Sequence, residues 1–277
     1  MMLPDFYRLK IQQDTDPSDP REMETPATIL CWHRRYTIGD KEGRLETPIA
    51  SMKALIEAID PNFAGPFDEW REKELAKLQE SGKWADSEQE YNSRIEAAFN
   101  RYFVWLPIYM YDHSGITIRT TSFNDRWDSG RVGFIYISKR EAQREGYGGF
   151  DPMEPDHIDQ ETGDWMPEGI KAVEQLLKQE VEAYDQYLRG DIYGFVMEKV
   201  KFEFEIPRYD FLTVDPKQLP WEDVDSCWGF YGIEKNGMED HFGPTFQGLL
   251  ARAKQCVGEW VYQNFAKEPN AQAPQPT

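Results

Sequence analysis

The stretch "FVWLPIYMYDHSGITIRTTSFNDRWDSGRVGFIYIS", Phe103 to Ser138, decides the fold class. Two apolar, aromatic-rich runs enclose a third, "ITIRTTSF", in which Ile116 and Ile118 alternate with Thr117 and Arg119. Period-two alternation places one set of side chains on each face of a strand, and "DHSG" has turn composition. Three successive strands with short connections predict an antiparallel meander. Pro107, with no N–H for a ladder, predicts an edge or a bulge in the first strand. Gly-Phe pairs recur in three β-prone runs, at Gly133-Phe134, Gly194-Phe195 and Gly229-Phe230. A strand glycine is weakening unless something approaches it closely, and a neighbouring aromatic ring often does. The three runs are therefore predicted to be adjacent strands, each glycine beneath a ring.

Outside this block the period changes. Thr47-Pro48 reads as an N-cap with proline in the first turn, and Ile49, Met52, Leu55, Ile56 and Ile59 follow at helical spacing until "DPN" at Asp60. Residues 66–102 predict two charged helices separated around Ser81-Gly82. "GYGGF", Gly146 to Phe150, reads as a flexible turn opening a Gly/Pro/Asp-rich insertion, which leads into an amphipathic helix from Ile170 to Leu188 closed by Gly190. A long strand follows, with Val200, Phe202, Phe204 and Ile206 inward and Lys199, Lys201, Glu203 and Glu205 outward. "DSCWGFYGIE" gives another, and a final helix is predicted from about Pro244 to Phe265. Helices and strands in blocks predict an α+β fold, a mostly antiparallel sheet with amphipathic helices packed on one face. The expected organisation is a helix-rich part over 1–102, continuous with a sheet and long helices over 103–266, then a disordered tail over 267–277.

The 277 residues include 50 acidic and 31 basic side chains, a formal net charge of −19. Such a surface repels nucleic-acid phosphate and anionic lipid and attracts basic protein surfaces. Direct nucleic-acid binding and a membrane partner are not expected. Cys31, Cys227 and Cys256 are scattered and odd in number, which fits a reducing cytoplasm better than a disulfide framework or structural zinc. The first 20 residues carry no signal-peptide pattern, and the apolar runs are too short to span a bilayer. A cytoplasmic protein is expected.

For chemistry, Asp128, Ser129, Asp225 and Cys227 with His113 as base form the candidate catalytic group, since a Ser or Cys nucleophile needs an oriented base in reach. The competing reading has the Asp and Ser residues capping loops through backbone hydrogen bonds, with Cys227 as a small core residue. Asp128, Asp191 and Asp225, each just ahead of a Gly-Phe strand, could offer hard oxygen ligands to Mg²⁺ or Ca²⁺. Alternating strand direction would place them at different edges of the sheet. His33, His113, His157 and His241 lack zinc spacing, phosphate-loop and dinucleotide motifs are absent, and no cofactor is expected. From Asp151 to Asp191 there are 12 acidic and 3 basic residues, a net of −9. Asp156, Asp159, Glu161 and Asp164 are the candidate contacts for a basic partner; a merely solvated face is the bland reading.

"WDSGRVGFIYIS", "YDQYLRGDIYGFVME" and "DSCWGFYG", with "LPIYMYDHSGITI", resemble an uncharacterised family of proteins from bacteriophages, plasmids and integrated mobile elements, over roughly Phe103 to Gly232. The resemblance implies an accessory protein acting in the host cytoplasm and names no catalytic residue. The expected function is acidic protein–protein interaction with a basic host or phage protein, in its most concrete form inhibition of a nucleic-acid-targeting defence enzyme. The alternatives are a small hydrolase or transferase built on the Asp/Ser/Cys/His cluster, and a phage protein that oligomerises through its aromatic strands.

Overall fold

The computed structural model describes residues 7–40, 42–81, 84–125, 127–200 and 220–231. The predicted helix over 244–265, the strand positions Phe202, Phe204 and Ile206, the tail, Cys256 and His241 lie outside them. By its contacts the chain forms two compact units, one of residues 19–189 and one of 1–18 with 190–277. The divisions fall at Ser18/Asp19 and Arg189/Gly190 rather than at the change of composition near residue 102.

The unit over 19–189 is built on a four-stranded antiparallel sheet of β2 (Thr28–Cys31), β5 (Ser129–Ser138), β3 (Phe103–Asp112) and β4 (Ile116–Arg119), in that order. The strands exist where the alternation places them, but they are not a meander. Among the described residues β4 pairs only with β3, and β5 returns on β3's other side. A two-residue hairpin would force β4 and β5 together, whereas the longer 120–128 connection is free to cross. At Pro107 the ladder reaches only β5, because β4 joins from Tyr109 onward, and the register shifts directly after it between Ile108 and Tyr109. The missing N–H of Pro107 therefore costs no ladder bond.

Alternation gives each strand two apolar faces, and helices cover both. On one face Ile29, Cys31, Val104, Ile108, Ile135 and Ile137 meet Val173, Leu177, Val181 and Tyr184 of α5 (Pro167–Leu188). On the other, Leu30, Phe103 and Phe134 meet Met52 and Ile56 of α1 (Pro48–Ile59) and Tyr91, Ile95 and Phe99 of α3 (Trp84–Tyr102). Each fully buried side chain of this kind contributes about 1.5–3 kcal/mol. The α+β, antiparallel architecture is as expected; the difference is that this sheet has helices on both faces. Its central strands are buried on both sides, which is why β5 reads as an unbroken apolar run.

Local signals set the helix ends. The Thr47 hydroxyl accepts the Ala50 N–H at 3.1 Å, Pro48 opens α1, and Asp60 closes it. α2 (Ala64–Ser81) ends where the break is predicted. Asp185 of α5 accepts the Thr117 hydroxyl at 2.6 Å and the Ile118 N–H at 2.7 Å, so the helix satisfies part of β4's outer edge.

In the other unit, β1 (Tyr7–Gln13), β6 (Ile192–Val200) and β7 (Trp221–Tyr231) form a three-stranded antiparallel sheet. Glu198 is buried on the same side as Val200 and pairs with Lys10 at 2.9 Å. The three Gly-Phe runs are consequently not all neighbours: β6 and β7 pair, while β5 belongs to the four-stranded sheet. Only one glycine lies under a ring. A Cβ on Gly194 would sit 2.2 Å from the Trp228 indole. At Gly133 a Cβ would be 2.0 Å from the Leu30 carbonyl, so this glycine admits the close approach of β2's backbone. Gly229 has φ +87 and open space around it; it opens a bulge opposite Gly194.

Candidate functional site

The β3–β4 turn, Asp112 to Gly115, lies beside the start of β5 because β3 and β5 pair as far as Tyr111 with Ser129. Asp112 N–H donates to the Asp128 carbonyl at 2.9 Å, and His113 Nδ1 stands 3.3 Å from Asp128 Oδ2. Two of the candidate catalytic residues are thus brought together, both exposed to solvent. Ser129 does not join them: its hydroxyl donates to the Asp125 carbonyl. The Asp125 carboxylate accepts the N–H groups of Trp127 at 2.7 Å and Asp128 at 3.1 Å, and these bonds hold its carboxyl below the usual range. The Asp125–Ser129 segment has the hydrogen bonding of a self-capped turn. As placed, the Ser129 proton is committed to the backbone and not to His113.

Asp225 and Cys227 are on β7, opposite Met197 and Phe195, in the unit that does not contain His113. Cys227 is exposed, which corrects the reading of it as a core residue. Its strand has solvent on most of its length, so the flanking Trp228 does not signal burial. Of the two described cysteines the buried one is Cys31, whose thiol burial, reinforced by the Asp40 charge, pushes up to about 12. Asp191 accepts the Tyr193 hydroxyl at 3.1 Å. Among the described residues no three His, Cys, Asp or Glu side chains are grouped to hold a metal ion, so Asp128, Asp191 and Asp225 do not make such a set.

The acidic segment is ordered by its own contacts. Phe150 and Trp165 stack with ring centres 4.0 Å apart, Ile158 and Trp165 form a β-bridge, and His157 stacks on Phe150's ring. Asp159 accepts the Glu161 and Thr162 N–H groups at 2.8 and 2.9 Å, which depress its carboxyl. Asp156, Glu161 and Asp164 are exposed, while Asp159 is half-buried. The "GYGGF" run, expected as a flexible turn, contains a 3-10 turn over Tyr147–Gly149. A Cβ on Gly148 would meet the Ala172 carbonyl at 2.5 Å, and one on Gly169 the His157 carbonyl at 2.5 Å. These glycines let the segment lie directly against the first turns of α5.

A further cluster went unread in the sequence. Arg21, nearly buried, spans Asp40 (3.1 and 2.6 Å) and Glu180 (3.1 Å), and also donates to the Ala27 carbonyl at 2.6 Å. Glu180 accepts the Ala27 N–H at 3.1 Å, Asp40 accepts the Ile29 N–H at 2.7 Å, and the Tyr184 hydroxyl accepts the Gly39 N–H at 2.9 Å. Burial raises the Glu180 carboxyl, and Arg21 pulls it the other way. Arg21, Asp40 and Tyr184, though not Glu180, line a cleft of about 930 Å³ that also reaches Glu22, Glu42 and Tyr136. With every hydrogen bond internal, the trio reads as a clamp joining the 19–27 segment, β2 and α5.

Among the described residues no helix is long and apolar enough to cross a membrane. No protein-family model, no curated protein and no solved structure matches the chain.

Proposed function

We propose that this protein is an accessory protein of a phage or other mobile element, acting in the host cytoplasm by presenting an acidic surface to a basic partner. The most concrete partner is a nucleic-acid-targeting defence enzyme whose phosphate-binding groove the carboxylates occupy. The observation that carries the reading is the order of the 150–166 segment. The Phe150–Trp165 stack and the Asp159 turn hold Asp156, Glu161 and Asp164 in a fixed, exposed array. Carboxylates fixed in advance lose less freedom on docking than those of a solvated tail, and opposite charge speeds encounter. The test is DNA cleavage by purified host restriction nucleases, with wild type and with Asp156, Glu161 and Asp164 all changed to Lys. Wild type is expected to inhibit in competition with DNA, less so as salt rises, and the charge-reversed protein to lose inhibition while keeping its thermal midpoint. Inhibition indifferent to both salt and charge reversal would remove this face from the mechanism.

The hydrolase reading has one observation in its favour, the 3.3 Å contact of His113 with Asp128. It needs a nucleophile that Ser129, bonded to the Asp125 carbonyl, does not supply in this geometry.

A further inference from the structure

We propose that the cleft between the two ends of the 32–47 connection binds a phosphate ester bearing a planar ring, with a mononucleotide as the representative ligand. The proposal does not depend on the acidic segment. The cleft measures about 460 Å³ and is lined by Trp32, His33, Arg34, Arg44, Leu45 and Glu46. Small-molecule sites occupy roughly 300–1,000 Å³. Residues 32–34 leave β2 directly and 44–46 enter α1, so both rims hang on packed elements.

The charge of this cleft runs against that of the chain. Arg34 and Arg44 line it together with one acidic residue, Glu46, and among the described residues neither arginine forms an ion pair. Arg21 and Arg35, by contrast, are each paired with a carboxylate. Arg44 is steadied by a single bond from Nη1 to the Cys31 carbonyl at 3.0 Å, which leaves most of its donors uncommitted. His33 Nδ1 accepts the N–H groups of Arg35 at 3.4 Å and Tyr36 at 3.3 Å. With Nδ1 an acceptor, the neutral ring carries its proton on Nε2 as one more donor. Planar guanidinium groups match phosphate oxygens two at a time.

The ring requirement comes from Trp32. Its Nε1 donates to the Leu45 carbonyl at 2.7 Å, and one face of the indole stacks on Phe134 with centres 5.8 Å apart. What it offers the cleft is the opposite face or the edge, fixed in place, and either suits an aromatic ring. The net charge of −19 does not oppose this at close range, because at physiological salt distant charges are screened beyond about 8 Å.

The test is calorimetric titration with AMP, inorganic phosphate and adenosine as probes. AMP is expected to bind, with phosphate and adenosine each weaker by about tenfold or more, since each supplies half of the recognition. Arg34→Gln with Arg44→Gln should weaken AMP by about tenfold or more at an unchanged thermal midpoint. Glu46→Gln, which removes the one opposing charge, should tighten it, a gain that loss of folding cannot mimic. No binding of AMP at millimolar concentration, equal affinity for AMP and adenosine, or an undiminished affinity in the double variant would each overturn the proposal.

Discussion

Two groups of carboxylates in the same unit have opposite surroundings. Asp40 and Glu180 are drawn in around Arg21, with side-chain exposures of 20% and 11%, and their oxygens are taken up by protein donors. Asp156, Glu161 and Asp164 stand in solvent on a segment whose order comes from aromatic stacking and backbone bonds, not from ion pairs. The same residue type builds structure in one place and surface charge in the other. What separates them is the presence of a buried guanidinium; net charge along the chain carries no trace of it.

The largest expected effect breaks the buried group. Arg21→Met leaves two nearly buried carboxylates without their cation and should destabilise the unit by about 3–5 kcal/mol, read by denaturant unfolding. A cost under about 1 kcal/mol would mean that solvent reaches the trio and that it is no clamp. Next, Trp165→Ala removes the stack under the acidic segment. The expected cost is about 2–3 kcal/mol, below the range for a fully buried aromatic because Trp165 is half-exposed, with loss of amide protection over 157–166. Retained protection would show that the backbone bonds alone order the segment.

Acid and base should act on the two groups in opposite directions. The Asp159 carboxyl is depressed by the Glu161 and Thr162 N–H groups, so its contribution is present above the ordinary carboxylate pKa of about 4 and is lost as pH falls through the depressed value. Protection of those two amides, corrected for intrinsic exchange, should fall below about pH 4, and in Asp159→Asn it should lose that dependence. Glu180 is raised, so its contribution is fullest below the ordinary value and declines as pH rises through the folded one. The stability difference between wild type and Glu180→Gln should therefore move against wild type from about pH 4 upward. A difference that is flat with pH would contradict the raised carboxyl. The smallest effect concerns thiols: mass spectrometry after brief alkylation should find Cys227 modified and Cys31 intact, with little change in stability in Cys227→Ser. Modified Cys31 would show that β2 opens locally.

The buried group could have been found in the sequence. Glu180 is three residues after Leu177 and four before Tyr184, inside the stripe that α5 buries, and a charge there needs a partner. Its partner is not legible, because Arg21 lies 159 positions away in a segment with no period of its own. The same division runs through the fold. α1 from Thr47 to Asp60, α5 and the strands were legible because their periodicity is local. The placing of β5 beside β2 and β3 was not, since the 120–128 connection permits either side of β3. The Gly-Phe repeat misled because glycine serves three different needs at Gly133, Gly194 and Gly229: backbone approach, a ring above, and positive φ. At the candidate site, the meeting of His113 with Asp128 was not legible, because it follows from β5 pairing with β3, and a meander would have put the two turns at opposite ends of β4; nor could the exposure of Cys227 be read from residue type.

The irregularity of β7 bears on solubility. Its register with β6 shifts twice, around Gly229 and around Val224, and among the described residues no strand lies on its other side. A straight, regular strand with Val224 and Trp228 in solvent would be a template for stacking chain upon chain. Two interruptions in eleven residues, with Asp223 and Asp225 flanking one of them, are features that keep a strand from serving as such a template. Deleting Val224 would remove one interruption and straighten the strand, and the expected first sign is fibre formation, read by light scattering, ahead of any fall in thermal midpoint.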